Sequence, residues 1–304
     1  MELVTDGLKF PEGLVVMPDG SIILVEIAAG QITRVHPDGT KEVVATPGDG
    51  PNGAAMGPDG KLYVCNNGGF NWPESSNGFL APHGIADDYT TGRIERIDID
   101  TGEVEVLYKT GDHGCILRGP NDIVFDAHGG FWFTDLGKQD FNARKQDIVG
   151  IFYAKADGSH VEEVIFPVTT PNGCGLSPDG KILYAAETAT ARLNKYVITG
   201  PGKVDPNAGV GGPGTPIYGA PGVKYYDSMA VEECGNVCVA TIGECGISVI
   251  SPKGELVDFV ETDDVFTTNI AFGGDDMMDA YITLSGTGRL VKTRWKRPGL
   301  KLEY

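Results

Sequence analysis

Six copies of one unit run the length of the chain, and that repetition limits the fold more than any other feature. Each copy opens on a short motif carrying an oxygen-bearing side chain. An apolar run, a turn of the Asp-Gly kind in most copies, and a second apolar run follow. The motifs are Phe10-Pro11-Glu12-Gly13, Gly50-Pro51-Asn52-Gly53, Gly119-Pro120-Asn121-Asp122, Thr170-Pro171-Asn172-Gly173, Tyr226-Asp227-Ser228-Met229 and Thr268-Asn269-Ile270-Ala271. Between them lie second hairpins, at 31–44, 93–108, 150–165 and 246–260 among others, alternating apolar and polar residues around a Gly-containing turn. Two hairpins make four strands. A unit of four strands returning every ~40–70 residues is the pattern of a propeller blade. The expectation is an all-β chain forming a single six-bladed β-propeller with four-stranded antiparallel blades over 1–304.

Two segments exceed the repeat. Residues 68–91 form an insertion containing Phe70, Trp72, Phe79, His83 and Tyr89, and residues 199–224 are rich in Gly and Pro. Both read as loops, the kind of segment that shapes a pocket. The run GVGGPG lacks a following Gly-Lys-Ser/Thr, so it is no phosphate loop. The last hairpin, 289–295, is expected to supply the final blade's outer strand or to close the ring.

Charge narrows the partners. The 42 acidic and 24 basic residues give a net charge of −18. Such a field repels nucleic acid and anionic membrane surfaces and attracts divalent cations. No apolar run approaches the ~20 residues of a membrane span. The first ten residues carry Glu2 and Asp6 and lack the features of a signal peptide. A reducing, cytoplasmic setting is therefore expected. The six cysteines form no CxxC pair and are expected to be buried thiols.

The repeated motif also locates the chemistry. Repeats rotated about one axis bring equivalent positions into a ring, here Glu12, Asn52, Asn121, Asn172, Asp227 and Asn269. One such Asn could serve only its own turn. Six equivalent positions that all present oxygen point instead to a site at one mouth of the central channel. Carboxylate and amide oxygens suit hard cations such as Ca²⁺, Mg²⁺ or Mn²⁺. Zn²⁺ is less favoured without His or Cys. Glu12 and Asp227 would neutralise the ion and Asn carbonyls would add uncharged ligands. No G-x-S-x-G elbow or H-E-x-x-H motif is present. Of the five histidines only His83, on the insertion, is a candidate for the pocket.

At these residues the chain resembles the SMP-30/gluconolactonase family. Phe10-Pro11-Glu12-Gly13 is similar to its opening motif, and Arg118-Gly119-Pro120-Asn121-Asp122 with GGFWFTD at 129–135 to its third-blade signature. Pro171-Asn172-Gly173 with SPDGKILYAAET resembles its fourth. The fifth motif departs from the usual Pro-Asp-Gly-like run but keeps its carboxylate. The resemblance implies a propeller holding one divalent cation, Ca²⁺ before Mg²⁺, Mn²⁺, Zn²⁺ or Fe, and hydrolysing a lactone to a hydroxy acid. It implies Glu12, Asn172 and Asp227 as metal ligands. Asn121 would contact water or substrate and Arg118 the substrate. Asp227 is then the candidate general base, and Asn52, Asn269 and His83 are left for further substrate contacts. Two alternatives stay open: a non-catalytic propeller that binds a peptide or protein, and a metal-dependent hydrolase of aryl esters or organophosphates.

Overall fold

The computed structural model describes residues 1–73, 78–140 and 142–304. Residues 74–77 of the 68–91 insertion lie outside the described residues. Six antiparallel sheets form the six expected blades. Their first strands are Pro11–Val16, Pro51–Met56, Pro120–Phe125, Pro171–Leu176, Tyr225–Val231 and Thr267–Gly273. Each packs against the next and the last packs against the first, so these six strands surround the axis.

The second strand of each blade is buried along almost its whole length, as in Ile22–Glu26, Leu62–Asn66 and Gly130–Asp135. This accounts for the apolar runs that follow each turn. The interior lies between adjacent blades. Tyr63 and Cys65 of blade 2, for instance, share a cluster with Phe125, Phe131, Phe133 and Phe152 of blade 3. Each fully buried ring of this kind contributes about 1.5–3 kcal/mol.

Three expectations are corrected. The ring is closed by the N-terminal strand Glu2–Thr5, which pairs with Arg289–Arg294 as the outermost strand of blade 6. The hairpin strand Arg289–Arg294 is therefore third in its blade, because the chain's first strand takes the outer place. The segment 199–224 is not all loop: Gly214–Gly219 pairs with Arg192–Gly200 as an outer strand of blade 4, and Lys203–Val204 pairs there too. Its Gly and Pro content masked a strand that needs only one paired edge. Cys65, Cys115, Cys174 and Cys238 are buried, but Cys234 is exposed in a hairpin turn and Cys245 is half-buried.

At the channel's other end the C-terminal segment crosses the blades. Buried Glu232 accepts hydrogen bonds from Trp295 Nε1 at 2.7 Å, Arg297 Nε at 2.5 Å and Asn236 Nδ2 at 2.8 Å. The Tyr304 ring meets Phe125 edge-on at 5.6 Å.

Candidate functional site

Every blade carries the same irregularity in its first strand. In blade 2, Pro51 pairs with Asn66, yet Ala54 pairs with Val64, so three steps on one strand match two on the other. A one-residue slip likewise spans Asn121, Asn172 and Asp227 in their blades, directly follows Glu12 in blade 1 and directly precedes Asn269 in blade 6. Bulges re-aim side chains. Here they sit at or beside the ring position of all six blades. Glycine after the ring residue permits the close approach. Gly13 has φ +48°, and a Cβ there would lie 2.0 Å from the Asn52 carbonyl oxygen.

Glu12, Asn52, Asn121, Asn172 and Asn269 are buried, while Asp227 alone keeps partial exposure. Contacts join four of the six. Glu12 Oε2 accepts from Asn269 Nδ2 at 2.6 Å and from its neighbour Gly13 N at 2.8 Å. Burial, and then the charge of Asp227, push the Glu12 carboxyl well above the usual range. Asp227 is pushed up to about 7 by burial, with a hydrogen bond from Asn172 opposing the shift and the charge of Asp122 adding to it. Asn269 Oδ1 accepts from Ile270 N at 2.8 Å, so this side chain orients Glu12 with its amide. Asn172 Nδ2 donates to Thr188 Oγ1 at 3.0 Å.

What remains is a set of unused oxygens. Glu12 Oε1, Asn121 Oδ1 and Asn172 Oδ1 are buried without any hydrogen-bond partner. Leaving a buried acceptor unpaired costs about 1–3 kcal/mol, so three on one ring call for a shared partner. Two carboxylates that repel each other and amide oxygens that lack donors are what a hard divalent cation would satisfy. The residues thus fit such an ion. Among the described residues no group of three or more His, Cys, Asp or Glu is placed to hold a metal ion, so the ring's fit rests on two carboxylates together with amide oxygens.

The other expected site residues lie differently. Arg118 Nε reaches Asp147 at 3.7 Å, and its side chain faces a cleft of about 870 Å³ at the edge of blade 3, shared with His113, Ile116 and Phe166. No hydrogen bond or ion pair joins it to the ring. His83 is exposed on the insertion, with its N–H donated to Asn71 O at 2.8 Å. Sequence reasoning passed over Asp122, next to Asn121. It is buried, accepts from Ile123 N and Cys174 N, and is raised to about 7 by burial. Its signal was its place in the motif, where the first, second and fourth copies have glycine.

The insertion lies along this same rim. The Trp72 ring meets Phe10 at 5.0 Å, and Phe10 and Phe79 each meet Phe266 at 5.6 Å. Leu80 N donates to Gly286 O of blade 6 at 2.9 Å. Aromatic surface therefore stands on the side of the mouth nearest Glu12 and Asn269.

Known proteins share this architecture. The chain is 30% identical over 256 residues to lactonase drp35 of Staphylococcus haemolyticus, covering 84% of this chain and 70% of that one. It is 29% identical over 251 residues to lactonase drp35 of Staphylococcus epidermidis, covering 82% and 68%. Among solved structures, a gluconolactonase of Xanthomonas campestris superposes with a TM-score of 0.73 at 18% identity, over 96% of this chain and 88% of the other. The calcium-binding protein regucalcin of Agrobacterium tumefaciens gives 0.72 at 18% identity, over 99% and 97%. The SMP-30/gluconolactonase/LRE-like model matches residues 10–286, a span that holds all six ring positions, and the chain belongs to that family.

Proposed function

We propose that this chain hydrolyses a sugar lactone or related small lactone to its hydroxy acid, dependent on one divalent cation at the ring. The observation that carries the reading is the trio of buried, partnerless oxygens on Glu12, Asn121 and Asn172. The relatives named as lactonases and gluconolactonase support the reaction class, and the calcium-binding regucalcin supports the ion. Ca²⁺ is favoured by an all-oxygen donor set, ahead of Mg²⁺, Mn²⁺, Zn²⁺ or Fe.

Glu12, Asn172 and Asp227 would hold the cation. Bound there, it would supply charge that polarises an ester carbonyl and stabilises the oxyanion. The protein's own groups do the rest. Asp227, the one partly exposed ring member, takes a proton from the attacking water as its oxygen bonds to the carbonyl carbon. The C–O bond of the lactone ring then breaks, and the proton passes to the departing alkoxide. Asn121 orients the carbonyl, Asn269 fixes Glu12, and Asn52 completes the polar lining. Arg118 and His83 stand further out, where they would meet a ring substituent.

Six free cysteines, one of them exposed, suit a reducing cytoplasmic setting. No helix among the described residues is long and apolar enough to cross a membrane.

The test is a panel of sugar lactones, aryl lactones, aryl esters and organophosphates, assayed with and without chelator beside metal analysis of the protein. Lactone turnover that chelator stops and Ca²⁺ restores supports the reading. Asp227→Ala should abolish it with the fold intact, and full activity in that variant would reject the assigned base.

A further inference from the structure

Lys138 is a buried cation with no part in the reaction as derived above. It follows the second strand of blade 3 at the ring end of the propeller and is 4% exposed. Its Nζ donates to Asn67 Oδ1 at 3.1 Å and to Gly69 O at 2.7 Å. It also lies 4.0 Å from the centre of the Phe70 ring and 5.2 Å from that of Tyr89. All four partners belong to the long connection between the second and third strands of blade 2. One ammonium therefore grips both ends of that connection, Asn67 to Phe70 where it departs and Tyr89 where it returns.

The grip is costly. Burial pulls the ammonium down to about 7, with the carboxylates of Asp135 and Asp147 pulling it back up. An apolar side chain would fill the space at lower cost. What only the cation provides is two donated hydrogen bonds combined with attraction to two aromatic faces. A further bond reinforces the return end, since Tyr89 Oη donates to the Arg118 carbonyl at 2.6 Å.

Between these gripped ends the described residues Trp72, Phe79 and Leu80 reach across to blades 1 and 6. Their aromatic partners are tied to the ring: Phe10 stands two residues before Glu12, and Phe266 three before Asn269. Aromatic rings thus stand beside Glu12 and Asn269, whereas Arg118, Asp135 and Asp147 line the separate cleft at the edge of blade 3.

We propose that Lys138 is a positioning residue for substrate selection: its ammonium fixes the blade 2 insertion so that Trp72 and Phe79 present an apolar wall, and the site takes lactones bearing an apolar or aryl substituent. The substrate half of this rests on the lactonase reading above; the grip itself does not.

Lys138→Met keeps the side chain's length and removes its charge. Hydrogen exchange within residues 67–72 and 85–91 should quicken at least about ten-fold, the size expected when a desolvated cation–π pair and its hydrogen bonds are lost. For an aryl-substituted lactone, KM should rise about ten-fold with kcat nearly unchanged, while both constants for a compact sugar lactone move by less than about twofold. Trp72→Ala should reproduce the KM effect and leave exchange at 85–91 unchanged. Tyr89→Leu keeps the lysine, removes one aromatic face and should shift exchange in the same direction by less, which covers a Lys138→Met protein that does not fold. Unchanged exchange in both Lys138→Met and Tyr89→Leu, or equal losses on the two lactones, would overturn the proposal. If the wild-type protein turned over neither lactone, the lactonase reading and the selection role would both fail, and the exchange measurements would still decide the grip.

Discussion

Asn269 Nδ2 donates to Glu12 Oε2 at 2.6 Å, joining two residues 257 apart in the chain across the junction of the last and first blades. The bond occupies one carboxylate oxygen and leaves Oε1 bare at the channel mouth. Asn269 therefore acts on the site through Glu12, in the manner of the outer partners that orient metal ligands.

Asn269→Leu should lower affinity for Ca²⁺ by about 10–100-fold, the usual effect of losing such a partner, with little change in secondary structure. Calorimetric titration of the metal-free protein measures it. Wild-type affinity in the variant would mean that Glu12 is oriented by Gly13 N alone.

The buried carboxyls set a pH dependence. Burial raises Glu12 well above its ordinary range, and raises Asp227 and Asp122 each to about 7. Unfolded, such groups titrate near ~4. Between about 4 and 7 the cation-free folded protein therefore holds more protons than the unfolded chain. The stability these groups lend is complete below the unfolded values and is lost as pH rises through the folded ones. In chelator, the melting temperature should fall as pH is raised from about 5 to 7.5, and added Ca²⁺ should recover most at the upper end while releasing protons. Melts across this range with and without Ca²⁺ check it; a chelated protein that gains stability on the way up would contradict the assignment.

Gly13→Ala places a Cβ 2.0 Å from the Asn52 carbonyl on a backbone with φ +48°. Overpacking and left-handed strain together should cost about 3 kcal/mol or more. Denaturant unfolding gives the loss. The Asn52 carbonyl must shift, so cation affinity should fall as well.

Much of this site was legible because a repeat tells more than its parts. A lone Asn172 is an ordinary turn residue, and only its equivalence to Glu12 and Asp227 placed it on a ring. The bulges were not legible, since the slip between Pro51 and Ala54 is a property of pairing and leaves only a Pro before the ring residue and a Gly after it. The Gly214–Gly219 strand was hidden because an outer strand with one bonded edge tolerates residues that an inner strand excludes. Lys138 carried no local signal: its partners lie about 70 residues away, and the sequence around it reads as a polar turn.

Glu232 offers a control far from the mouth. Burial alone would raise its carboxyl, but hydrogen bonds from Arg297, Trp295, Asn236 and Cys234 outweigh burial and hold it below the ordinary value. Glu232→Ala strands the Trp295 indole N–H and the Arg297 guanidinium. With the Arg297 side chain 32% exposed, the loss should be about 2–3 kcal/mol, below that of a fully buried pair. Thermal melts should register this loss while cation affinity stays at the wild-type value.

The slipped pairing at all six first strands separates scaffold from chemistry. The slip lies at or beside the ring position whether that position holds Glu, Asn or Asp, so the identity of the side chain contributes little to the bulge. Asn52 or Asn269 could be exchanged for another short polar residue without dismantling a blade, and a propeller built this way can acquire a new ion preference or reaction by changing a few letters at fixed, interchangeable sockets.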